Sequence, residues 1–160
     1  MKYIKLLLPI LFACLTTSAQ LVVQVFDGDT YKVLNKGKFT IIRLANVDAP
    51  ELSQYYGKLV KACVSKLILG KKVTLDVRRT DRYGRTIADV FIDGMSLDSL
   101  LVINGWAWEY VAQSINHELS VYQNQAVQKN KGMWKCKHNI QPWEWRKLNK
   151  KQKRLKEMCR

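Results

Sequence analysis

The sequence predicts an α+β fold that is mainly β: a small five-stranded barrel of the OB type with about three helices. Five short segments carry the alternating or β-branched patterns of strands, and one helical pattern lies between the third and the fourth. Further helical patterns follow the fifth strand. A length of 160 residues suits one domain with a modest core.

The first three predicted strands are short apolar segments, and they cover residues 21–26, 30–34 and 39–47. Between the first two lies Asp27-Gly28-Asp29-Thr30, where an Asp-Gly pair ordinarily indicates a hairpin turn. The second aspartate is unusual, and in isolation it is most simply a turn carboxylate. Together with the residues discussed below, Asp27 and Gly28 are expected to shape the bend, and Asp29 is the candidate metal ligand.

The remaining elements alternate between helical and strand patterns. Apolar residues recur at helical spacing over residues 59–68, and Gly70 is suited to close this helix. Strand patterns follow at residues 72–78 and 86–92. Two more helical patterns come after them, and they cover residues 96–103 and 116–131.

The N-terminal residues 1–19 have the layout of a secretory signal peptide. Two lysines precede an apolar run at residues 6–15 that is too short to span a bilayer, and small residues precede a cleavage point after Ala19. We therefore expect an exported protein, secreted or periplasmic, and no other apolar segment is long enough for a membrane span. A lipoprotein anchored at Cys14 is a minor alternative.

Residues 20–136 are expected to form the folded domain, and residues 137–160 a basic C-terminal tail. Pro142 is a suitable first residue for a helix in this tail. Beyond it, lysine and arginine crowd around one acid, Glu157, which indicates a solvated basic helix or a disordered arm. Extra phosphate contacts and a simple solubilising role explain this composition equally well.

Cleavage of the signal peptide would leave three cysteines, which are Cys63, Cys136 and Cys159. Export permits a disulfide, and we prefer Cys63 with Cys136 because Cys159 lies in a tail that we expect to be mobile. Sequence does not determine the connectivity. No cysteine or histidine spacing indicates a zinc site.

The formal net charge of +14 favours a polyanionic partner such as nucleic acid. A solvated basic surface would explain the charge equally well, so charge alone does not decide. More specific is a set of acids and arginines near the predicted strand ends, and its members are Asp29, Arg43, Asp48, Glu51 and Arg85. We expect sheet pairing to bring them to one end or face of the barrel.

Arg43 is the member of this set that is hardest to treat as a surface charge. It lies within an apolar run, where a guanidinium is costly unless it meets carboxylates or an anion. Asp29 and Asp48 can hold a hard cation such as Ca²⁺, and Glu51 can orient or deprotonate water. Arg43 and Arg85 can form forked hydrogen bonds to phosphate oxygens. Such a set suits hydrolysis of a phosphodiester.

Three blocks carry a resemblance to a known family, and they are residues 27–30 (DGDT), 43–51 (RLANVDAPE) and 80–85 (TDRYGR). In this order and spacing the chain resembles the staphylococcal nuclease (thermonuclease) family over roughly residues 21–135. The resemblance implies an OB-type barrel with helices. It also implies Ca²⁺-dependent cleavage of DNA and RNA that leaves 3′-phosphate ends.

The resemblance implies a role for each matched position. The family's calcium ligands fall on Asp29, Asp48 and the backbone carbonyl of Ala49. Its catalytic residues fall on Arg43, Glu51 and Arg85, and the glutamate acts through water.

The resemblance also indicates residues that contact substrate. Tyr83 lies in a matched block and is the better candidate, whereas the region of Tyr110 aligns less cleanly and makes it the weaker one. The loop after Glu51 is shorter than in the best-known member of the family.

Three other functions are considered at this point. One of them, a secreted basic protein that coats anionic surfaces, would leave the motifs unexplained. A non-catalytic OB module that binds single-stranded nucleic acid would use basic charge and aromatic residues, but it would not need this set of acids and arginines. A histidine-dependent nuclease is less well supported, because His117 and His138 lack a recognisable catalytic spacing. We expect a monomeric Ca²⁺-dependent endonuclease that acts on DNA and RNA.

Overall fold

The structure is a computed structural model that describes residues 19–112, 114 and 117–156. Most of the predicted signal peptide, with Cys14, lies outside the described residues. Cys159 and Glu157 also lie outside them, as does residue 116, where the last predicted helix of the barrel region was expected to begin.

Eight strands are present in the described part of the chain, and they are β1 (Gln20–Val25), β2 (Thr30–Asn35), β3 (Lys38–Leu44), β4 (Val47–Asp48), β5 (Lys72–Thr80), β6 (Thr86–Ile92), β7 (Met95–Ser96) and β8 (Trp108–Glu109). The α-helices of the same ranges are α1 (Gly57–Ile68), α2 (Leu97–Ile103), α3 (Glu118–Gln128), α4 (Pro142–Lys147) and α5 (Lys150–Lys156). A 3₁₀ turn covers Gly132–Lys135.

Five of the strands close into a barrel, which confirms the predicted OB-type α+β fold. Their order is β3-β2-β1-β5-β6, and a parallel pairing of β3 with β6 closes the ring. The short β7 adds a sixth strand beside β6. Register shifts in β1 and β5 mark bulges, which help a small sheet to bend into a closed barrel.

The alternating apolar residues of the strands fill the interior of this barrel. Val22, Ile42 and Val90 are almost completely buried there, and α1 and α2 add Val64 and Leu101 to the same cluster. Burial of this apolar surface is the main driving force for the fold.

The third predicted strand is divided in the structure. β3 ends at Leu44, the chain bends at Ala45 and Asn46, and β4 then pairs with β8 in a separate two-stranded sheet. The side-chain nitrogen Nδ2 of Asn46 donates to Asp89 Oδ1 at 2.7 Å and to Asp98 Oδ2 at 2.6 Å, and these bonds hold the bend. As a result, Asp48 lies outside the barrel sheet, where it is paired with Trp108 of β8.

The C-terminal arm (residues 137–147) packs against the loop that follows Glu51. Pro142 begins α4, as the sequence predicts, and Trp145 is buried there. The Trp145 indole nitrogen donates to Ser53 Oγ at 3.0 Å, and the Gln54 side-chain amide donates to the Ile140 carbonyl at 2.8 Å. By contrast, α5 buries none of its residues, so it has the surroundings of a solvated basic helix. The predicted domain boundary at residues 136 and 137 stays a prediction.

The predicted disulfide between Cys63 and Cys136 is wrong. Cys63 is a free thiol on α1, whereas Cys136 is disulfide-bonded. The prediction set Cys159 aside because it expected a mobile tail, but residues 137–147 of that tail are packed.

None of the helices in the described ranges is both long enough and apolar enough to cross a membrane.

Candidate active site

The turn before β2 directs Asp29 into the protein. Asp27 Oδ1 accepts a hydrogen bond from the Asp29 amide at 3.1 Å, which closes a local turn around Gly28. A Cβ on Gly28 would lie 2.5 Å from the Ala49 Cβ and 2.6 Å from Val60 Cγ1, so only glycine fits. Asp29 is only 2% exposed as a consequence of this packing.

Arg43 joins the two candidate metal ligands. Its Nη1 donates to Asp29 Oδ1, and its Nη2 donates to Asp48 Oδ1 at 2.6 Å. Arg43 lies opposite Thr30 in the register of β2 with β3, which explains why it reaches Asp29. The predicted meeting of the Arg43 guanidinium with carboxylates is therefore present.

The carboxylate of Asp29 has several partners. Its Oδ2 accepts from the Ala49 amide at 2.6 Å, and its Oδ1 accepts from Thr30 Oγ1 at 3.0 Å as well as from Arg43. Burial raises the pKa of Asp29 above the ordinary aspartate value, although Arg43 acts in the opposite direction. Because all these contacts are hydrogen bonds that the oxygens accept, they favour the ionised carboxylate.

The most important residue that sequence reasoning missed is Arg146 of α4. Its Nη2 donates to Asp48 Oδ2 at 2.7 Å, and its Nη1 donates to Glu51 Oε1 at 2.8 Å. Acids and arginines therefore alternate in one chain of contacts, and its order is Asp29, Arg43, Asp48, Arg146 and Glu51. Two tryptophans beside Arg146 were the available signal, because a purely solvated helix has no need of them.

Glu51 stands at the start of a compact turn. Its amide donates to Gln54 Oε1 at 2.7 Å, and its carbonyl accepts from the Gln54 amide at 2.8 Å. A Cβ on Gly57 would lie 1.9 Å from the Glu51 carbonyl oxygen, so glycine permits this close approach. The short loop after Glu51 is thus closely wound, and it leaves the glutamate side chain 37% exposed.

Arg85 and Tyr83 belong to the loop between β5 and β6, and Asp81 organises that loop. Asp81 Oδ1 accepts from the Tyr83 amide at 2.8 Å, and its Oδ2 accepts from Arg85 Nε at 2.7 Å. Burial tends to raise the pKa of Asp81, but hydrogen bonds from Arg85 and Tyr83 outweigh it and lower that pKa. The Tyr83 ring is highly exposed, and the Arg85 guanidinium lies 5.4 Å from its centroid.

A cavity of about 390 Å³ brings most of the predicted site residues together. Its lining includes five of them, which are Arg43, Glu51, Tyr83, Arg85 and Tyr110. Asp29 and Asp48 lie directly behind Arg43, to which both are bonded. Five arginines and three acids line the cavity, so its net charge is positive and suits a phosphate group.

The two buried aspartates fit a hard divalent cation by their chemistry. Both bind the guanidinium of Arg43, so their oxygens lie near each other, and carboxylate oxygens are the ligands that Ca²⁺ prefers. Within residues 19–112, 114 and 117–156, no group of three or more His, Cys, Asp or Glu side chains is arranged to hold a metal. The protein would therefore supply two carboxylates here. The Ala49 amide is bonded to Asp29, and the role of its carbonyl stays a prediction.

Comparisons of the sequence with known proteins find the staphylococcal nuclease family and relatives that are named as nucleases. A family model described as "Staphylococcal nuclease homologue" matches residues 41–136. An uncharacterized endonuclease of Escherichia coli O157:H7 is 40% identical over 126 residues, which cover 78% of this chain and 82% of the relative. An uncharacterized endonuclease of Haemophilus influenzae is 38% identical over 130 residues, or 81% of this chain and 73% of the relative. The staphylococcal-like nuclease CAN1 of Arabidopsis thaliana is 38% identical over 106 residues, or 66% and 33%.

Proposed function

The chain belongs to the staphylococcal nuclease family, and on that premise we propose that it is a calcium-dependent phosphodiesterase that hydrolyses DNA and RNA and leaves 3′-phosphate ends. One observation carries the proposal: two buried aspartates, bridged by Arg43, stand behind a cavity lined with arginine. A single-strand-binding module would need the basic cavity but not the buried acids.

Asp29, Asp48 and the Ala49 carbonyl would hold the cation. When bound, it supplies positive charge that polarises a phosphoryl oxygen and helps to position water. The hydrogen bond from the Ala49 amide to Asp29 at 2.6 Å supports this assignment, because it holds the segment of Ala49 beside the first ligand.

Arg43 and Arg85 bind the phosphate in this proposal. A guanidinium has five N–H donors, so Arg43 can bind both aspartates and still donate toward the cavity that it lines. Arg85 is oriented by Asp81 and lines the same cavity. Hydrogen bonds from the two arginines stabilise the negative charge that develops on the phosphoryl oxygens in the transition state.

Glu51 takes a proton from water in this proposal. It lines the cavity and is half-exposed, so a water molecule can reach its carboxylate. Tyr83 and Tyr110 line the same cavity, where their rings can contact a sugar or base next to the phosphate.

The decisive experiment is digestion of DNA and RNA by purified protein in calcium and in excess chelator, with product ends mapped. We expect cleavage in calcium, none in chelator, and 3′-phosphate ends. Equal cleavage in chelator would contradict the cation requirement. Binding of DNA in calcium without any cleavage would favour the non-catalytic module instead.

We also propose that the protein is exported, on the basis of the pattern in residues 1–19. N-terminal sequencing of the protein from the extracellular and periplasmic fractions tests this, and we expect cleavage after Ala19. An intact N-terminus on protein that stays in the cytoplasm would contradict it.

A further inference from the structure

Asp48 is the residue where the C-terminal arm meets the proposed cation ligands. Arg146 places a fork on its carboxylate, with Nη2 donating to Oδ2 at 2.7 Å and Nη1 donating to Oδ1 at 3.2 Å. The same Nη1 donates to Glu51 Oε1 at 2.8 Å. A single guanidinium therefore binds one proposed cation ligand and the proposed base.

A divalent cation and this guanidinium compete for the same carboxylate. Asp48 is only 1% exposed, and its Oδ1 already accepts from Arg43, so Oδ2 is the better placed oxygen for a further partner. Arg146 occupies that oxygen. Two positive groups in contact with one small carboxylate also repel each other.

The surroundings of Arg146 allow its side chain to leave without unfolding the arm. Trp145 is buried and bonded to Ser53, so the backbone of α4 is anchored beside Arg146. The Arg146 side chain itself is 45% exposed and lines the arginine-rich cavity. A long side chain with a hydrated head group can swing between these two surroundings.

We propose that Arg146 is an internal competitor of the divalent cation: it occupies Asp48 and Glu51 in the cation-free protein and must swing into the cavity before the cation binds Asp48. This inference rests on the proposed function, because it takes Asp48 as a cation ligand. Swinging away also frees Glu51 from its ion pair. The apparent affinity for the cation is then lowered by the fraction of molecules in which Arg146 is bound to Asp48.

The test is calorimetric titration of calcium into the full-length mature protein without nucleic acid. We expect Arg146→Ala to bind calcium about tenfold more tightly than wild type, as when roughly nine in ten wild-type molecules have Asp48 occupied. Lys147→Ala is the matched control, because it removes the same charge one position along α4, where Lys147 pairs only with Glu144 in the contacts described. We expect it to bind calcium as wild type does.

The outcomes separate this inference from the proposed function. Calcium binding that is equal in wild type and Arg146→Ala, or weaker in the variant, overturns the competition but leaves the cation site standing. No calcium binding by either protein overturns both. Arg146→Lys provides a second variant in case the alanine protein does not fold. Lysine keeps the positive charge but cannot form the forked pair of hydrogen bonds, so the calcium affinity of Arg146→Lys should lie between those of wild type and Arg146→Ala.

A second readout follows Arg146 directly. In a ¹⁵N spectrum of the arginine side chains, we expect calcium to shift the Arg146 Nε–H signal in wild type but not in Asp48→Asn. An unchanged Arg146 signal in calcium-saturated wild-type protein contradicts the swing.

Discussion

Two arginines bind the carboxylate of Asp48, and their surroundings differ. Arg43 comes from the barrel strand β3, is 17% exposed, and also binds the buried Asp29. Arg146 comes from the C-terminal arm, is 45% exposed, and also binds the half-exposed Glu51. The first compensates two charges that the fold has buried, whereas the second reaches the same carboxylate from the rim, where its guanidinium is open to solvent. Asp48 thus forms two arginine ion pairs, one with a barrel residue that is mostly shielded from solvent and one with a more exposed residue of the C-terminal arm.

The largest expected effect comes from removing Arg43, the less exposed of the two arginines. Arg43→Ala leaves Asp29 and Asp48 without the guanidinium that they share, so the free energy of unfolding should fall by roughly 3–5 kcal/mol. The rate of DNA digestion should fall by about a hundredfold or more, since a phosphate donor is also lost. Urea unfolding and initial rates measure the two effects.

Arg146→Ala is the control for that experiment. Because the Arg146 side chain is 45% exposed and Asp48 keeps its bond to Arg43, we expect a loss of less than about 1 kcal/mol in the free energy of unfolding. Equal destabilisation by the two alanine substitutions would show that burial does not distinguish them.

Glu51 is the exposed last member of the chain of contacts that begins at Asp29, so its substitution should affect activity more than stability. Glu51→Gln removes the proposed base but keeps the size of the side chain, so kcat should fall by about 10²–10⁴-fold. Thermal unfolding should move little, because this side chain is partly exposed. A fully active Glu51→Gln protein would remove Glu51 from the mechanism.

Asp98 tests what a buried carboxylate does when it is not fully bonded. Within the described ranges its Oδ1 has no hydrogen-bond partner, and burial raises its pKa to about 7, with the Asn46 hydrogen bond acting in the opposite direction. Since the folded pKa is raised, its stabilising contribution is complete below about pH 4 and is lost as pH rises toward 7. The loss amounts to a few kcal/mol, on the order of 1.4 kcal/mol per pKa unit.

Asp98→Asn cannot ionise, so it should lack this pH dependence. We expect urea unfolding to show wild type losing stability relative to Asp98→Asn between about pH 4 and 7, and no further relative change above that. A constant difference between the two proteins across this range would mean that Asp98 does not titrate there.

A small effect is expected at Trp145, which anchors the segment of Arg146. Trp145→Phe keeps most of the buried ring but loses the hydrogen bond to Ser53 Oγ, so the free energy of unfolding should fall by about 1 kcal/mol. Ser53→Ala should cost a similar amount. If both substitutions remove the same bond, the double variant should lose less than the sum of the two. If the losses of the two single variants add up in full in the double variant, the hydrogen bond between Trp145 and Ser53 is not the cause of those losses.

The sequence predicts the barrel well because strand patterns report directly which residues face the core. The alternation in β6 and the apolar run of β3 are visible without tertiary information. Arg43 was also predictable, because a guanidinium inside an apolar strand demands acidic partners. These features are local, or they follow from the cost of burying a charge.

Features that depend on contacts between distant segments were not predictable. The bend at Asn46 is held by Asp89 and Asp98, which lie 43 and 52 residues away in the chain. Arg146 opens a stretch rich in lysine and arginine, and the two tryptophans just before it indicate a packed helix without indicating what Arg146 contacts. Only the packing of Trp145 on the loop after Glu51 brings it to Asp48.

The parallel pairing of β3 with β6 has a consequence for how the protein becomes active. It places Arg43 beside Ile87, close in sequence to Arg85, although more than forty residues of chain separate the two strands. Parallel contacts between distant segments form slowly, because a long loop must be closed before they stabilise anything. A chain that has not yet closed its barrel therefore contains every residue of the site but has no site. The site is therefore assembled by the folding step in which β3 pairs with β6.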